Sequence, residues 1–206
     1  MVSDEDNNRI LVWDGLPVTD GEAADFALGQ PNLTTGTVNT GGISASTLSN
    51  PTSIHIEANQ LFVADNNNNN RVLVWNSLPT ISGEAANLVL GQQNFTSNLA
   101  NAGGISASSL HDPYGISSDG TQLFVSDEEN NRILIWNTIP TTSGKSADHI
   151  IGQPNFTSNA LSGMTGDSIT FSSPRSLQAN DNLLFLSDDG NDRVVVWTAI
   201  LEEIAN

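Results

Sequence analysis

The fold is decided by residues 113–136, which read PYGISSDGTQLFVSDEENNRILIW. Three short apolar runs, at 114–117, 122–126 and 132–136, are separated by an Asp-Gly pair and by an Asx-rich segment. Short runs rich in Ile, Val, Phe and Trp and bounded by Gly, Asn, Asp or Pro are typical of β-strands. A fourth run follows at 147–152, so the stretch predicts one meander of four antiparallel strands.

The same pattern recurs along the chain with a period of about 61 residues. The only four tryptophans lie 62, 61 and 61 residues apart, and each ends a segment of the form Arg-apolar-apolar-apolar-Trp. The repeated residues are Arg9, Arg71, Arg132 and Arg193, and Trp13, Trp75, Trp136 and Trp197. The repeat divides a single predicted domain, 1–206, into units at about 1–50, 51–112, 113–173 and 174–206.

Four-stranded sheets copied in tandem predict an all-β fold, a β-propeller arc of antiparallel blades. Residues 1–30 supply strands two to four of a blade, 51–92 and 113–153 supply complete blades, and 174–197 supply strands one to three. Two complete and two incomplete blades favour an open arc, either part of a larger propeller or a protomer completed by another copy. A closed ring of four blades and a β-solenoid are the alternatives. The exposed first and last strands are edges that need a partner.

The deciding stretch resembles the NHL repeat, whose pattern has a Pro-x-Gly-Ile start, an Asp-Gly turn, a Leu-x-Val-Ala-Asp strand and an Asn-x-Arg-Ile/Val strand. The likeness recurs with losses at 51–75 and 174–197, and its second half is present at 3–13. The units are longer than the usual NHL unit. The extra residues fall in three loops, 31–50, 93–112 and 154–173. The resemblance implies an NHL-like propeller, a family with protein-binding, RNA-binding and enzymatic members.

An Asx-rich turn opened by an Asp precedes each repeated Arg. These Asp residues are Asp4, Asp65, Asp127 and Asp188. Alternating oxygen ligands, as in Asp4 with Asp6 and Asp188 with Asp192, suggest calcium as a candidate cation. The turns lack the Gly and the bidentate Glu of an EF-type loop, because the Arg follows directly. The favoured interpretation is structural: the Asp closes an Asx turn and pairs with the Arg in every blade, so no metal site is assigned.

The four tryptophans are predicted to pack between neighbouring blades, because stacked sheets need a large apolar ring at a fixed position. A carbohydrate-stacking platform is the alternative. The three histidines, His55, His111 and His149, occupy three different repeat positions, so neither a catalytic pair nor a triad is visible. The chain has no cysteine and therefore no thiolate nucleophile. No catalytic residue, cofactor or enzymatic activity is predicted.

The charge balance limits the partners. Twenty-three acidic and six basic side chains give a net charge of −17 and a pI near 4.1. The electric field of such a net charge repels nucleic acid and anionic lipid. No run in the sequence reaches the roughly 20 apolar residues of a membrane span. We expect neither nucleic-acid binding nor membrane insertion. No signal segment follows Met1, although the wealth of Asn, Ser and Thr resembles secreted or surface proteins of bacteria.

The long loops carry the functional expectation. In a propeller meander, the turn between strands two and three and the loop into the next blade leave the sheet at the same rim, and loops on a rigid scaffold carry binding. We expect this acidic, Asn/Ser/Thr-rich rim to hold a protein or glycan partner without catalysis. One alternative is a self-assembling structural protein, a homo-oligomer whose incomplete blades pair between chains. The other is a metal-dependent propeller hydrolase or lyase.

Overall fold

The computed structural model describes residues 1–160, 170–180 and 183–198, whose strands form four antiparallel sheets. Sheet I contains β1 (Val2–Asp4), β2 (Arg9–Val12) and β3 (Phe26–Leu28). Sheet II contains β4 (Pro51–Glu57), β5 (Gln60–Asp65), β6 (Arg71–Trp75) and β7 (Leu88–Leu90). Sheet III contains β8 (Pro113–Ser118), β9 (Leu123–Asp127), β10 (Arg132–Trp136) and β11 (His149–Ile151). Sheet IV contains β12 (Pro174–Asn180), β13 (Leu183–Asp188) and β14 (Arg193–Thr198).

The all-β prediction is confirmed, and strands that follow one another in a unit pair with one another. The described sheets do not close on themselves, so the four-bladed ring is not formed. Three short 3-10 helices, which the sequence did not predict, occupy Asx-rich turns at Glu5–Asn7, Glu128–Asn130 and Asp189–Asn191. The middle of the third long loop, 161–169, and the end of the fourth unit, 199–206, lie outside the described residues.

The sheets pack face to face in chain order, and one apolar cluster lies in each gap. Ile10 and Leu28 of sheet I pack against Leu61, Leu73 and Trp75 of sheet II. Equivalent residues fill the gaps between sheets II and III and between sheets III and IV. Every residue of β6 and β10 is buried because both of their faces are covered. Their apolar runs are therefore continuous, as expected of strands in inner sheets.

The first strands of sheets II, III and IV lie side by side and hold the sheets together along one line. The Thr52 hydroxyl donates to the Tyr114 carbonyl at 2.8 Å, and the Ser126 hydroxyl donates to the Arg175 carbonyl at 2.6 Å. Gly115 is needed at this line because a Cβ atom there would lie 2.3 Å from the Arg175 carbonyl oxygen. The sheets therefore approach each other at backbone distance at this position.

The next unit covers the outer edges of two sheets. Ala27 of β3 donates its N–H to the Ser82 hydroxyl at 3.1 Å and accepts from the Gly83 N–H at 3.0 Å. Val89 of β7 makes the equivalent bonds with Ser143 at 3.1 Å and with Gly144 at 2.9 Å. Pairing an edge in this way removes a site of unwanted strand addition. In the described part of the chain, no helix is long and apolar enough to cross a membrane.

Candidate functional site: the loop face

One end of the four sheets gathers the turns and the long loops, and we call it the loop face. Asp65 ends β5 and pairs in register with Arg71, which begins β6. Asp127 and Arg132 hold the same positions in sheet III. Since the last strands of sheets I and II, β3 and β7, run toward this end, the loops 31–50 and 93–112 start here beside the turns. The loop face therefore combines the two kinds of segment that the sequence predicted to share a rim.

A buried ion pair lies beneath each inner turn. Arg132 Nε donates to Asp127 Oδ2 at 2.6 Å, and Asn130 Nδ2 donates to the same oxygen at 2.8 Å. The other oxygen, Oδ1, accepts the His111 N–H at 2.7 Å. Both side chains of the pair are 0% exposed. Burial raises the pKa of Asp127, and the Arg132 charge together with the hydrogen bonds opposes that rise.

Asp65 and Arg71 repeat this arrangement in sheet II. Arg71 Nε donates to Asp65 Oδ2 at 2.8 Å, Asn69 Nδ2 donates at 2.7 Å, and the Ser49 N–H donates to Oδ1 at 2.7 Å. Both charged side chains are again fully buried. A buried charge pair of this kind is tolerated only when its remaining polar atoms are hydrogen-bonded.

The rest of the guanidinium group holds two long loops. Arg132 donates through one terminal nitrogen to the Phe156 carbonyl at 2.7 Å and through the other to the carbonyls of Ser106 and Ser109, both at 2.9 Å. Phe156 follows the arginine in the chain, whereas Ser106 and Ser109 belong to the preceding unit. Arg71 makes the same three kinds of contact, with the carbonyls of Phe95, Ser44 and Thr47. Each inner arginine therefore fixes the backbone of two successive loops.

The terminal pairs are less enclosed. Arg9 donates to Asp4 at 2.7 Å with side chains 17% and 23% exposed, and it also donates to the Leu33 carbonyl. Arg193 donates to Asp188 at 2.7 Å and to the Thr170 carbonyl at 2.7 Å. The ion pair thus occurs in all four units, but the contacts with loops on both sides are seen only for Arg71 and Arg132 among the described residues.

Paired asparagines, which sequence reasoning missed, tie the loops to the turns. The amides of Asn39 and Asn69 exchange two hydrogen bonds of 2.9 Å each. Asn101 and Asn130 do the same in the next unit at 3.0 and 2.8 Å. The signal available in the sequence was that an Asn stands at the same loop position in both units.

A repeated glutamine fixes the start of each long loop. Gln30 Nε2 donates to the Asn8 carbonyl at 3.0 Å and to the Thr37 carbonyl at 2.8 Å, and its Oε1 accepts the Thr40 hydroxyl at 2.8 Å. Gln92 makes the equivalent Nε2 bonds, but Ala102 stands where the first unit has Thr40. The buried Gln92 Oε1 consequently has no partner among the described residues.

The exposed surface of the loop face is acidic. Five carboxylates on its turns are exposed, namely Glu5, Asp6, Glu129, Asp189 and Asp192. Arg175 of sheet IV reaches Glu128 of the sheet III turn at 2.8 Å and Asp189 of its own sheet's turn at 3.1 Å, and its guanidinium lies 5.3 Å from the centre of the Tyr114 ring. The hydrogen bond from Arg175 to Glu128 and the nearby acidic charges raise the pKa of Arg175.

The four carboxylates considered for calcium do not converge. Asp4 and Asp188 are occupied by Arg9 and Arg193, and Asp6 and Asp192 are exposed on separate turns. In the described parts of the chain, no group of three or more His, Asp or Glu side chains is placed to hold a metal ion. The described carboxylates of these turns therefore form no common set of ligands.

The tryptophans lie away from the exposed turns of the loop face, and of the three histidines only His111 lies at a turn, where its carbonyl accepts the Glu129 N–H at 3.3 Å. Trp75 and Trp136 are each 1% exposed and lie in the apolar clusters between neighbouring sheets. Trp13 and Trp197 are half-buried on the terminal sheets, where Trp197 meets Phe171 edge to face at 5.7 Å. The histidines are placed separately: His55 is in β4, His111 is in a long loop and His149 is in β11. The structure does not bring any two of them together.

A scan against protein-family models finds no match, and a search of the curated proteins finds none either.

Proposed function

We propose that this chain is an NHL-like β-propeller arc that serves as a non-enzymatic binding module, with the loop face holding a protein or glycan partner. The observation that carries the proposal is the fixation of the long loops from beneath by Arg71 and Arg132. Each guanidinium binds carbonyls of two successive loops, and each is fully buried. A repeated device that orders exposed loops is expected where those loops contact a partner.

Ordered loops favour binding because the partner does not have to supply the free energy of ordering them. The reciprocal amide pairs of Asn39 with Asn69 and of Asn101 with Asn130 add to this order. The side chains left exposed above this network are mostly carboxylates, amides and hydroxyls, together with the apolar Val38 and Leu99. This chemistry suits a partner that presents cationic groups or sugar hydroxyls, and it does not suit a phosphate backbone.

The proposal is tested by probing an array of glycans and an array of Lys/Arg-rich peptides with the labelled full chain. The loop-face variant is Asp6→Asn/Glu129→Gln, since both side chains are exposed and have no side-chain hydrogen bond in the described structure. The matched control is Asp14→Asn/Asp20→Asn, which removes two exposed charges at the opposite end of the sheets. We expect specific binding on one array, weakened about tenfold by the loop-face variant and unchanged by the control.

Two results would overturn the proposal. The first is the absence of specific binding on both arrays. The second is an equal loss of binding in the two variants, because general electrostatic attraction to a chain of net charge −17 depends on total charge and not on the loop face.

A further inference from the structure

Each gap between sheets joins two different faces. We call the face that carries the Trp position the leading face; it includes Leu73 and Trp75 in sheet II. The opposite face, with Val72 and Val74, is the trailing face. The trailing face of one sheet packs on the leading face of the next sheet in all three gaps. The same type of contact, between a trailing face and a leading face, is thus made three times within the molecule.

The two ends of the stack leave one face of each kind uncovered. The trailing face of sheet IV presents Val194, which is 69% exposed, and Val196, which is 47% exposed, beside the half-buried Phe185. The leading face of sheet I presents Val2, which is 52% exposed, beside the half-buried Leu11. No other sheet in the described part of the chain packs on either of these faces.

We infer that a second copy of this chain covers these faces, with the trailing face of sheet IV packing on the leading face of sheet I of the next copy. The molecule itself shows the matching contact. In the gap between sheets III and IV, Ile133 and Ile135 of the trailing face lie in one cluster with Leu186 of the leading face. In the repeat, Val194 and Val196 of sheet IV are equivalent to Ile133 and Ile135, and Val2 of sheet I is equivalent to Leu186.

The faces have the chemistry of a protein contact. Val194 and Val196 of β14 and Leu183 and Phe185 of β13 are apolar, so these strands bring no charged side chain to the contact. The charged residues on the leading face of sheet I, Asp4 and Arg9, already pair with each other. Two copies of net charge −17 repel each other over a range that salt shortens to about 10 Å at 0.1 M. The association is therefore strengthened by added salt, as expected of an apolar contact between like-charged molecules.

The contact is heterologous, since two different surfaces meet. Two copies related by a two-fold axis make it twice and bring together eight sheets, within the range of about four to eight blades found in propellers. This inference is independent of the proposed function, because the loop face lies at the ends of the strands and the new contact uses the flat faces of the sheets.

The test is light scattering on a size-exclusion column over a range of protein concentrations. The wild-type chain is expected to give about twice its mass of 21.8 kDa. Val194→Asp and Val2→Lys are each expected to raise the dissociation constant roughly a hundredfold, because each places an unpaired charge in an apolar contact. The control, Val18→Asp, alters a residue that is 88% exposed in a loop at the opposite end of the sheets, and it should dimerise like the wild type.

An equimolar mixture of the two variants gives the sharper result. A mixed pair has one wild-type contact and one contact in which the introduced carboxylate of one copy meets the introduced ammonium group of the other, so the double mass should return. Circular dichroism establishes that each variant is folded. A wild-type monomer at every concentration would overturn the inference. So would a dimer that Val194→Asp disrupts and Val2→Lys leaves intact, since that pattern means that like faces meet.

Discussion

At the scale of single residues, the inner Asp–Arg pairs differ from the outer ones in burial and in the number of their partners. Arg132 is fully buried and reaches Asp127 and three loop carbonyls, whereas Arg9 is partly exposed and reaches Asp4 and one carbonyl. Exposed ion pairs contribute little to stability, while breaking a buried pair leaves an unsatisfied charge. The Asp–Arg pair is therefore expected to contribute more to the free energy of unfolding in the inner units than in the outer ones.

Arg132→Lys is expected to lower the free energy of unfolding by about 3 kcal/mol, because an ammonium group cannot span the carboxylate and the carbonyls on both sides. Arg9→Lys, the matched control, is expected to change it by about 1 kcal/mol or less. Urea unfolding followed by tryptophan fluorescence measures both. Equal losses in the two variants would show that the loop contacts of Arg132 contribute nothing.

Ala102→Thr is expected to raise the free energy of unfolding by about 1 kcal/mol, because it supplies a hydroxyl donor to the buried Gln92 Oε1. The first unit shows the bond, from Thr40 to Gln30 at 2.8 Å. Ala100→Thr adds the same side chain at an exposed position of the same loop and serves as the control. The idea fails if both variants have the stability of the wild type in urea.

His55 makes stability depend on pH. Burial lowers the pKa of His55 below its ordinary value of 6.5, while Glu57, at 4.0 Å, opposes this, and the neighbouring ring is that of Phe62. The unfolded chain then takes up the proton first as the pH falls below 6.5. The contribution of the neutral imidazole to stability is therefore complete above pH 6.5, and it is lost as the pH falls from 6.5 toward the lower pKa of the folded state.

Between about pH 7.5 and 5.5, the melting temperature of the wild type should fall, and the fall should be smaller in His55→Gln. His149→Gln, the same substitution in β11, should retain the wild-type fall. Differential scanning fluorimetry across this pH range measures the melting temperatures of all three proteins. Identical pH profiles for all three proteins would assign the pH dependence to other groups.

At the scale of elements, the strands could be located from the sequence, and the contacts between units could not. The run predicted at 122–126 is observed as Leu123–Asp127, and the fourth run predicted at 147–152 is observed as His149–Ile151. These strands were predictable because apolar period and turn residues are local signals. The cover of β3 by Ser82 and Gly83 was not predictable, since it depends on how two units pack.

The candidate site divides in the same way. Asp127 and Arg132 stand out in the sequence because they repeat in every unit. The loop carbonyls that Arg132 binds have no sequence signature, because every residue carries a carbonyl group. Which loops an arginine holds therefore becomes visible only in three dimensions.

Gly115→Ala tests the line of close approach between β8 and β12. The added Cβ would lie 2.3 Å from the Arg175 carbonyl oxygen, which belongs to backbone and cannot rotate away. We expect a loss of about 1–3 kcal/mol in the free energy of unfolding. Gly15→Ala is the control, since nothing lies within 4 Å of the position that its added methyl group would take. Equal stability of both variants would mean that the two sheets can separate at no cost.

At the scale of the whole molecule, burial falls from the middle of the stack to its ends. All residues of β6 and β10 are buried, whereas β14 alternates between half-buried and exposed positions. A stack in which each sheet contacts only its neighbours behaves as a one-dimensional array, and its ends open at lower free energy than its middle. The same two ends carry the apolar faces assigned to the second copy.

Amide hydrogen exchange measures both the lower stability of the terminal sheets and the covering of their outer faces by a second copy. In dilute protein, β2 and β14 should exchange about tenfold or more faster than β6 and β10, because opening a terminal sheet breaks one packed face instead of two. Raising the protein concentration should slow exchange in β2 and β14 and leave β6 and β10 unchanged, since only the open faces acquire a neighbour. Uniform exchange in all four strands would indicate one cooperative unit. Terminal strands insensitive to concentration would contradict the head-to-tail contact.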